Sequence, residues 1–182
     1  MSVLILIPML ILIFSGTSFA ADSAIAQIRK EYQSIQNALP KLKEESVELS
    51  GYSTEGGKAK VYRDVNANIR LIRVELYFES GKETREYYYK NKVLIFAFYE
   101  SHQYNVPFYV TSKAAKEIGI EPFDAKKTKI MKNRYYFSNG AMIRWLDENK
   151  RNVSINSKEF KEAEKKIVDF SNEITAKFKL KN

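Results

Sequence analysis

Few side chains in this sequence are of the types that catalyse reactions near neutral pH. The chain of 182 residues holds one histidine and no cysteine, which excludes thiolate chemistry, disulfide bonds and cysteine metal sites. The histidine, His102, follows a predicted strand, and no second imidazole exists to share a metal ion with it. We interpret His102 as a solvent-exposed loop residue. The sequence therefore predicts no catalytic residue, no metal site and no cofactor.

Carboxylates and tyrosines are the other candidates for chemistry, because both can donate or accept protons and hydrogen bonds. A strict two-residue alternation along the predicted strands places Glu75 opposite Glu86. Like charges directly opposed repel, so we expect Arg73 or a ligand cation between them. The candidate ligand-binding residues of this polar-aromatic sheet face are Arg73, Glu75, Tyr77, Glu86, Tyr88, Tyr136 and Trp145.

Lysines are densest in one stretch that runs from a loop into a predicted strand. The candidate contacts to an anionic partner are Lys126, Lys127, Lys129 and Lys132. The formal net charge of +8 at pH 7 fits an anionic cell-envelope component or acidic lipid head groups. We expect no nucleic acid as a partner, because no aromatic stacking motif flanks the lysines. An edge strand protected by solvated lysines is the favoured interpretation of the same stretch.

The first twenty residues have the pattern of an export signal. They hold no charged side chain, and the apolar core Val3–Phe14 is shorter than the ~20 residues of a transmembrane helix. Ser18 and Ala20 supply the small residues that cleavage after Ala20 requires. We predict a signal peptide over residues 1–20 and a periplasmic or secreted protein that is not an integral membrane protein after processing. An uncleaved anchor is the alternative, because no Lys or Arg follows Met1 closely.

Two segments near the ends of the mature chain repeat apolar residues at helical spacings of three and four. The first stripe consists of Ile25, Ile28, Tyr32, Ile35, Leu39 and Leu42, and the second of Phe160, Ala163, Ile167, Phe170, Ile174 and Phe178. We predict an N-terminal helix that starts near Asp22 and is interrupted at Pro40, and a C-terminal helix with a cap at Asn156. A short helix is predicted over Ser112–Gly119.

Between the helices, aromatic and β-branched residues alternate with a period of two, which is typical of antiparallel strands. Turns are predicted at Ser80-Gly81, Asn91-Lys92 and Asn139-Gly140. The predicted strands are Ile69–Phe78, Thr84–Lys90, Val93–Tyr99, Val106–Val110, Thr128–Phe137 and Ala141–Asp147. We therefore predict one α+β domain over residues 21–182. It is an antiparallel β-sheet of about six strands packed against N-terminal and C-terminal amphipathic helices, both on one face.

An internal repeat lies within the predicted sheet, because Glu86–Glu100 aligns without gaps with Arg134–Glu148. The same aromatic hairpin is thus predicted twice. The stretches Leu49–Gly57, Glu86–Tyr89 and Tyr135–Asp147 resemble a family of uncharacterised exported bacterial proteins that have a signal peptide and tyrosine-rich β-hairpins. The resemblance covers nearly the whole mature chain. It implies a bacterial, exported, single-domain protein, and it carries no activity, cofactor or site residue.

These features predict a non-enzymatic exported binding or interaction protein whose ligand lies on the polar-aromatic sheet face. A carbohydrate, a peptide or an aromatic compound would suit such a face, because rings stack and polar groups select. Two alternatives stay open. A metal-independent hydrolase or lyase would pair Glu75 or Glu86 with a tyrosine in a deep pocket. A purely structural envelope protein would present an exposed apolar strip on its first helix.

Overall fold

A seven-stranded antiparallel sheet forms the centre of the fold in the computed structural model, which describes residues 16–179, with side chains from residue 21 onward. The strands lie side by side in chain order, so each one pairs with its neighbours in the sequence. They are β1 (Lys43–Glu48), β2 (Gly57–Arg63), β3 (Ile69–Phe78), β4 (Gly81–Lys90), β5 (Val93–Gln103), β6 (Lys129–Ser138) and β7 (Ala141–Leu146). The α+β class is confirmed, and the strand number is seven rather than about six.

Three α-helices accompany the sheet: α1 (Gly16–Ala38), α2 (Ser112–Ile118) and α3 (Lys158–Lys177). Pro40 lies in a single 3₁₀ turn directly after α1, which confirms the predicted interruption. The cap of α3 is Ser157 rather than Asn156, because the Ser157 hydroxyl accepts the Phe160 amide hydrogen at 3.2 Å. Residues 1–15 of the predicted signal peptide lie outside the described residues. Within residues 16–179, no helix is both long and apolar enough to cross a membrane.

The two long helices pack on opposite faces of the sheet. The face under α3, called the α3 face here, buries Ile72, Val74 and Tyr87 against Phe160, Ile167 and Ile174. The α1 face buries Leu71, Tyr88 and Phe96 against Ile25, Ile28 and Ile35. The prediction of both helices on one face is wrong. The physical reason is that the central strands are apolar on both faces where they pass between the helices, so alternation does not mark a solvent side.

The turn between β3 and β4 differs from the predicted one by one residue. Phe78 pairs with Gly81, so the turn is centred on Glu79-Ser80 and Gly81 belongs to the strand. A Cβ atom on Gly81 would lie 2.3 Å from the carbonyl oxygen of His102. The glycine is therefore needed for the close approach of β5 and not for the turn.

Both copies of the repeated hairpin contain a β-bulge at the equivalent place. One bulge lies in β5 at Ile95, opposite Tyr88 and Tyr89, and the other lies in β7 at Ile143, opposite Tyr136 and Phe137. A bulge inserts one extra residue, so beyond it the predicted alternation is inverted. The two copies of the repeat therefore share the position of the bulge, which a strict alternation of side chains does not predict.

The bulges move several side chains to the face opposite the predicted one. Phe96 and Phe98 lie on the α1 face, although alternation placed them with Ile72. Tyr99 and Trp145 lie on the α3 face, although alternation placed them on the polar face. The aromatic residues of the sheet are thereby divided between two cores.

The predicted strand Val106–Val110 is instead part of the connection between β5 and β6. Pro107 has no amide hydrogen for a sheet, and its carbonyl accepts the Val110 N–H at 3.0 Å, which closes a turn. The short helix α2 follows as predicted. Its cap is Thr111, and it ends at Gly119, which has a left-handed conformation.

Alkaline pH is expected to unfold the protein cooperatively before its buried tyrosines ionise. Burial raises the pKa of Tyr99 to about 12 and also raises the pKa values of Tyr87 and Tyr89. Stability is unaffected by these groups below pH ~10, where the unfolded tyrosines are protonated. Above it, stability falls by about 1.4 kcal/mol per pH unit for each such tyrosine until the folded pKa is reached.

The measurement is a pH titration that follows phenolate absorbance and far-UV circular dichroism together. We expect the exposed tyrosines to titrate first, and the remaining absorbance to rise in the same step that abolishes the β-sheet signal. All tyrosines titrating near pH ~10 with an intact β-sheet signal would contradict the burial described above.

Candidate functional site

Strand pairing arranges the α1 face into parallel rows of side chains that run across the sheet. The row beneath α1 is apolar and aromatic, with Tyr62, Leu71, Tyr88, Phe96 and Tyr136. The adjacent row is mixed, with Lys60, Arg73, Glu86, Phe98 and Arg134. The predicted polar-aromatic face therefore exists, and it is the α1 face.

A cavity of about 280 Å³ lies where α1 meets these two rows. Helix α1 contributes Ile28, Arg29 and Tyr32, and the sheet contributes Glu86, Phe96, Phe98, Arg134 and Tyr136. The Tyr32 and Phe96 rings lie 5.6 Å apart, and the Phe96 and Tyr136 rings lie 5.0 Å apart. These ring contacts hold Tyr32, Phe96 and Tyr136 in place, because each of these rings packs against another.

Two arginines lie at the cavity with no carboxylate in ion-pair contact among residues 21–179. Arg134 places its guanidinium 5.4 Å from the centroid of the Phe98 ring, so a ring supports the cation. Arg29 is exposed on α1. A guanidinium offers several N–H donors in a planar fork, which suits a carboxylate, sulfonate or phosphate. The cavity therefore combines apolar walls with two unpaired cations.

Glu86 is the acidic residue of the cavity, and two donors hold its carboxylate. Arg73 donates to Oε1 at 2.8 Å, and the Tyr88 hydroxyl donates to Oε2 at 2.6 Å. Gln36 of α1 in turn donates to the Tyr88 oxygen at 2.6 Å. Burial, together with the neighbouring Glu86, raises the pKa of Tyr88 above its usual value, so the phenol keeps its proton. This network is typical of a structural ion pair, and it favours binding over acid–base catalysis.

Glu75 does not face Glu86 as predicted. The corrected turn pairs Arg73 with Glu86 and Glu75 with Thr84. Lys58 lies 3.2 Å from the Glu75 carboxylate, and the Tyr77 hydroxyl donates to it at 2.5 Å. The expected repulsion is therefore absent between these two glutamates, and Arg73 binds Glu86 directly.

Trp145 is separated from the other candidate ligand-binding residues by the sheet. It lies on the α3 face, where its ring centroid is 5.4 Å from that of Tyr135. Its indole N–H donates to the side-chain oxygen of Asn133 at 2.9 Å. Six of the seven candidates share the α1 face, and of these Glu86 and Tyr136 line the cavity.

The candidate lysines lie away from this cavity, and two of them have acidic partners. Lys127 is 2.5 Å from Glu121, and Lys132 is 3.1 Å from Glu100. Lys126 and Lys129 are exposed, and no carboxylate of the described chain is in ion-pair contact with them. The structure therefore does not bring the two predicted sites together.

His102 lies within β5 and not in a loop, contrary to the prediction. Its Nε2 atom is 2.7 Å from Oε1 of Glu100, and its side chain is 19 % exposed. This hydrogen bond and the one from Lys132 lower the pKa of Glu100 against the opposing effect of burial. Among residues 16–179, no three histidine, aspartate or glutamate side chains are grouped so that they could hold a metal ion.

A second cavity, of about 440 Å³, lies beyond Ile28 against the turns at Asn91 and Asn139. Its acidic residue Glu31 already accepts ion pairs from Lys90, at 3.0 Å, and from Arg70. A charged ligand would compete with these pairs. The smaller cavity is the better binding site because its cations are unpaired.

The residues that sequence reasoning missed are Arg29, Tyr32, Phe98 and Arg134. One sequence signal could have found Arg134. The internal repeat aligns it with Glu86, and both flank Phe98 in neighbouring strands. Arg29 has no such signal, because it borders the apolar stripe of α1 as an ordinary exposed residue.

Comparisons of the chain with models of protein families, with curated proteins and with solved structures gave no match. The resemblance to exported bacterial proteins therefore stays a prediction.

Proposed function

We propose that the chain is a non-enzymatic exported binding protein for a small molecule with a planar apolar body and one anionic group. The ligand occupies the cavity between α1 and the sheet. The observation that carries the proposal is one cavity that combines four aromatic walls with two arginines lacking carboxylate partners.

The two chemical parts of the site recognise different parts of such a ligand. Rings such as Phe98 and Tyr136 remove a planar body from water and can stack against it. Arg29 and Arg134 donate charge-assisted hydrogen bonds, which are about twice as strong as neutral ones. Glu86 contributes no net charge to the site, because Arg73 neutralises it. An anionic ligand is thus favoured over a cationic one.

Export of the protein is supported by the first twenty residues, which hold no charged side chain and contain an apolar core followed by small residues. The ligand of the cavity is accordingly a small anionic molecule met outside the cytoplasm. The protein binds this molecule and does not transform it.

Fluorescence titration with anilinonaphthalene sulfonate tests the cavity, because this probe joins aromatic rings to a sulfonate. Phenylnaphthylamine, which has the rings without the sulfonate, is the matched neutral probe. We expect R29Q/R134Q to bind the sulfonate probe about tenfold more weakly. A hydrogen bond to a charged group contributes ~1.5–3 kcal/mol, and the exposure of Arg29 to solvent reduces its contribution. Binding of the neutral probe should change little.

The control variant R151Q/K161Q removes two exposed positive charges elsewhere on the surface. It should bind both probes as the parent does. Equal sulfonate affinity in R29Q/R134Q and in the control variant would overturn the assignment of the cavity, because the two arginines would then not contact the anion.

A further inference from the structure

We infer that the connection between β5 and β6 docks the protein onto an anionic lipid surface. This connection, called the docking loop here, spans residues 104–128 and lies at the opposite end of the sheet from the Asn91 and Asn139 turns. The docking loop is separate from the small-molecule cavity, since none of the residues that line that cavity belongs to the loop.

Exposed apolar side chains are concentrated on and beside the docking loop. The described residues include nine exposed large hydrophobic side chains, of which five belong to this region. They are Phe108 at 51 % exposure, Tyr109 at 56 %, Ile118 at 65 %, Ile120 at 46 % and Ile130, the second residue of β6, at 50 %. Ile118 and Ile120 flank the glycine that ends α2, and Phe108 and Tyr109 precede its cap. A soluble surface rarely groups apolar residues in this way without an interaction.

The docking loop has a defined conformation, because hydrogen bonds join its two ends and connect it to the sheet. Asn105 donates to the carbonyl of Pro122 at 2.9 Å and accepts the Asp124 N–H at 3.1 Å. The Phe108 N–H donates to the carbonyl of Glu79 at 3.0 Å, which ties the loop to the β3–β4 turn. The exposed side chains are thus displayed on an ordered support at one end of the sheet.

Positive charge accompanies the apolar residues. The docking loop and the first two residues of β6, residues 104–130, contain five lysines against three acidic residues, so their net charge is +2. The acidic side chains are Glu117, Glu121, which pairs with Lys127, and Asp124, which caps a 3₁₀ turn. Lysines without an ion-pair partner in residues 21–179 are Lys113, Lys116, Lys126 and Lys129.

Apolar side chains among unpaired lysines fit a lipid surface better than a protein surface. Protein interfaces are depleted in lysine. At a bilayer surface, aromatic rings lie at head-group depth, while lysine stems extend along apolar surface and carry their charge to phosphate groups. Anionic head groups add roughly fivefold in affinity for each nearby lysine. The charge complementarity therefore selects an anionic bilayer as the occupant.

Sedimentation with lipid vesicles tests the inference on the full chain. Vesicles of phosphatidylglycerol and phosphatidylcholine in equal parts are compared with vesicles of phosphatidylcholine alone. Residues 1–20 carry no charged side chain, so their apolar contribution is present with both compositions and the difference measures the electrostatic contribution of the rest of the chain. We expect the protein to bind the anionic vesicles preferentially, and this preference to weaken as salt concentration rises.

Two variants examine the basic and the apolar side chains of the docking loop and of the start of β6. K126E/K129E should bind anionic vesicles at least roughly 25-fold more weakly, since two lysines are lost. F108S/I118S should bind them about tenfold more weakly, since apolar side chains no longer enter the interface. The control K161E/K166E makes the same charge change on exposed residues of α3 and should reduce binding far less.

Thermal unfolding of each variant shows whether it is folded before vesicle binding is compared. Two results would overturn the inference. One is equal binding of the parent to anionic and neutral vesicles, which would leave an acidic protein surface as the alternative partner. The other is an equal loss of binding in K126E/K129E and K161E/K166E, which would show that net charge matters and the loop does not.

Discussion

Replacing Phe160 by alanine is expected to lower the free energy of unfolding by about 3–5 kcal/mol. Phe160 lies in the first turn of α3, is 2 % exposed and belongs to the core on the α3 face. The substitution removes the ring from the packed layer and leaves a cavity that the rigid sheet cannot fill. A domain of this size is stabilised by ~5–15 kcal/mol in total, so the loss is a large fraction of it.

Urea denaturation followed by circular dichroism and by the fluorescence of Trp145, the one tryptophan of the chain, measures this loss. Phe108→Ala is the matched control, because the same side chain is removed from a site that is 51 % exposed. We expect less than about 1 kcal/mol for the control. Similar losses in both variants would contradict the packing of α3 on the sheet.

Helices and turns of this fold could be predicted because their signals are local. The apolar stripe of α1 and that of α3 recur at helical spacing, and α3 forms close to its predicted bounds, whereas α1 is already helical at Gly16, before the predicted start near Asp22. The turns at Asn91 and Asn139 have positive φ angles of 51° and 52°, a conformation that asparagine tolerates well. These features depend on neighbours in the sequence and not on the rest of the molecule.

Strand β1 could not be predicted from its composition. Lys43–Glu48 contains four charged residues and one apolar residue, Val47, so its local preference for a strand is weak. It forms because β2 offers an open edge, and Lys60 stabilises it through an ion pair with Glu44 at 2.7 Å. A charged edge strand also protects the sheet from pairing with other chains.

The faces of the sheet were harder to predict than its strands. In β4, the consecutive residues Tyr87, Tyr88 and Tyr89 are all buried, because α3 covers the face of Tyr87 and Tyr89 and α1 covers the face of Tyr88. Such an uninterrupted aromatic run is itself a sign of a strand buried on both faces. Strict alternation instead assigned one of these faces to solvent. The positions of Phe98 and Trp145 were wrong for a different reason, because the bulges in β5 and β7 invert the alternation.

Replacing Arg73 is predicted to have the second large effect on the free energy of unfolding. Arg73 is the cation that neutralises Glu86, whose side chain is only 13 % exposed. In Arg73→Met, the carboxylate keeps the hydrogen bond from Tyr88 but loses its counter-charge. Breaking a buried ion pair costs ~3–5 kcal/mol, and partial exposure of Arg73 at 29 % reduces this to about 2 kcal/mol.

A double-mutant cycle separates the ion pair from the packing of the arginine stem. Arg73→Met/Glu86→Gln should recover part of the stability that Arg73→Met loses, because the buried charge is then gone, and we expect a coupling of about 1–2 kcal/mol. The matched cycle uses Lys165→Met and Asp169→Asn, a highly exposed pair on α3, where coupling should stay below about 0.5 kcal/mol. Equal coupling in the two cycles would mean that Glu86 is solvated. Arg73 would then not neutralise the Glu86 charge at the cavity between α1 and the sheet, and the preference for an anionic ligand depends on that neutralisation.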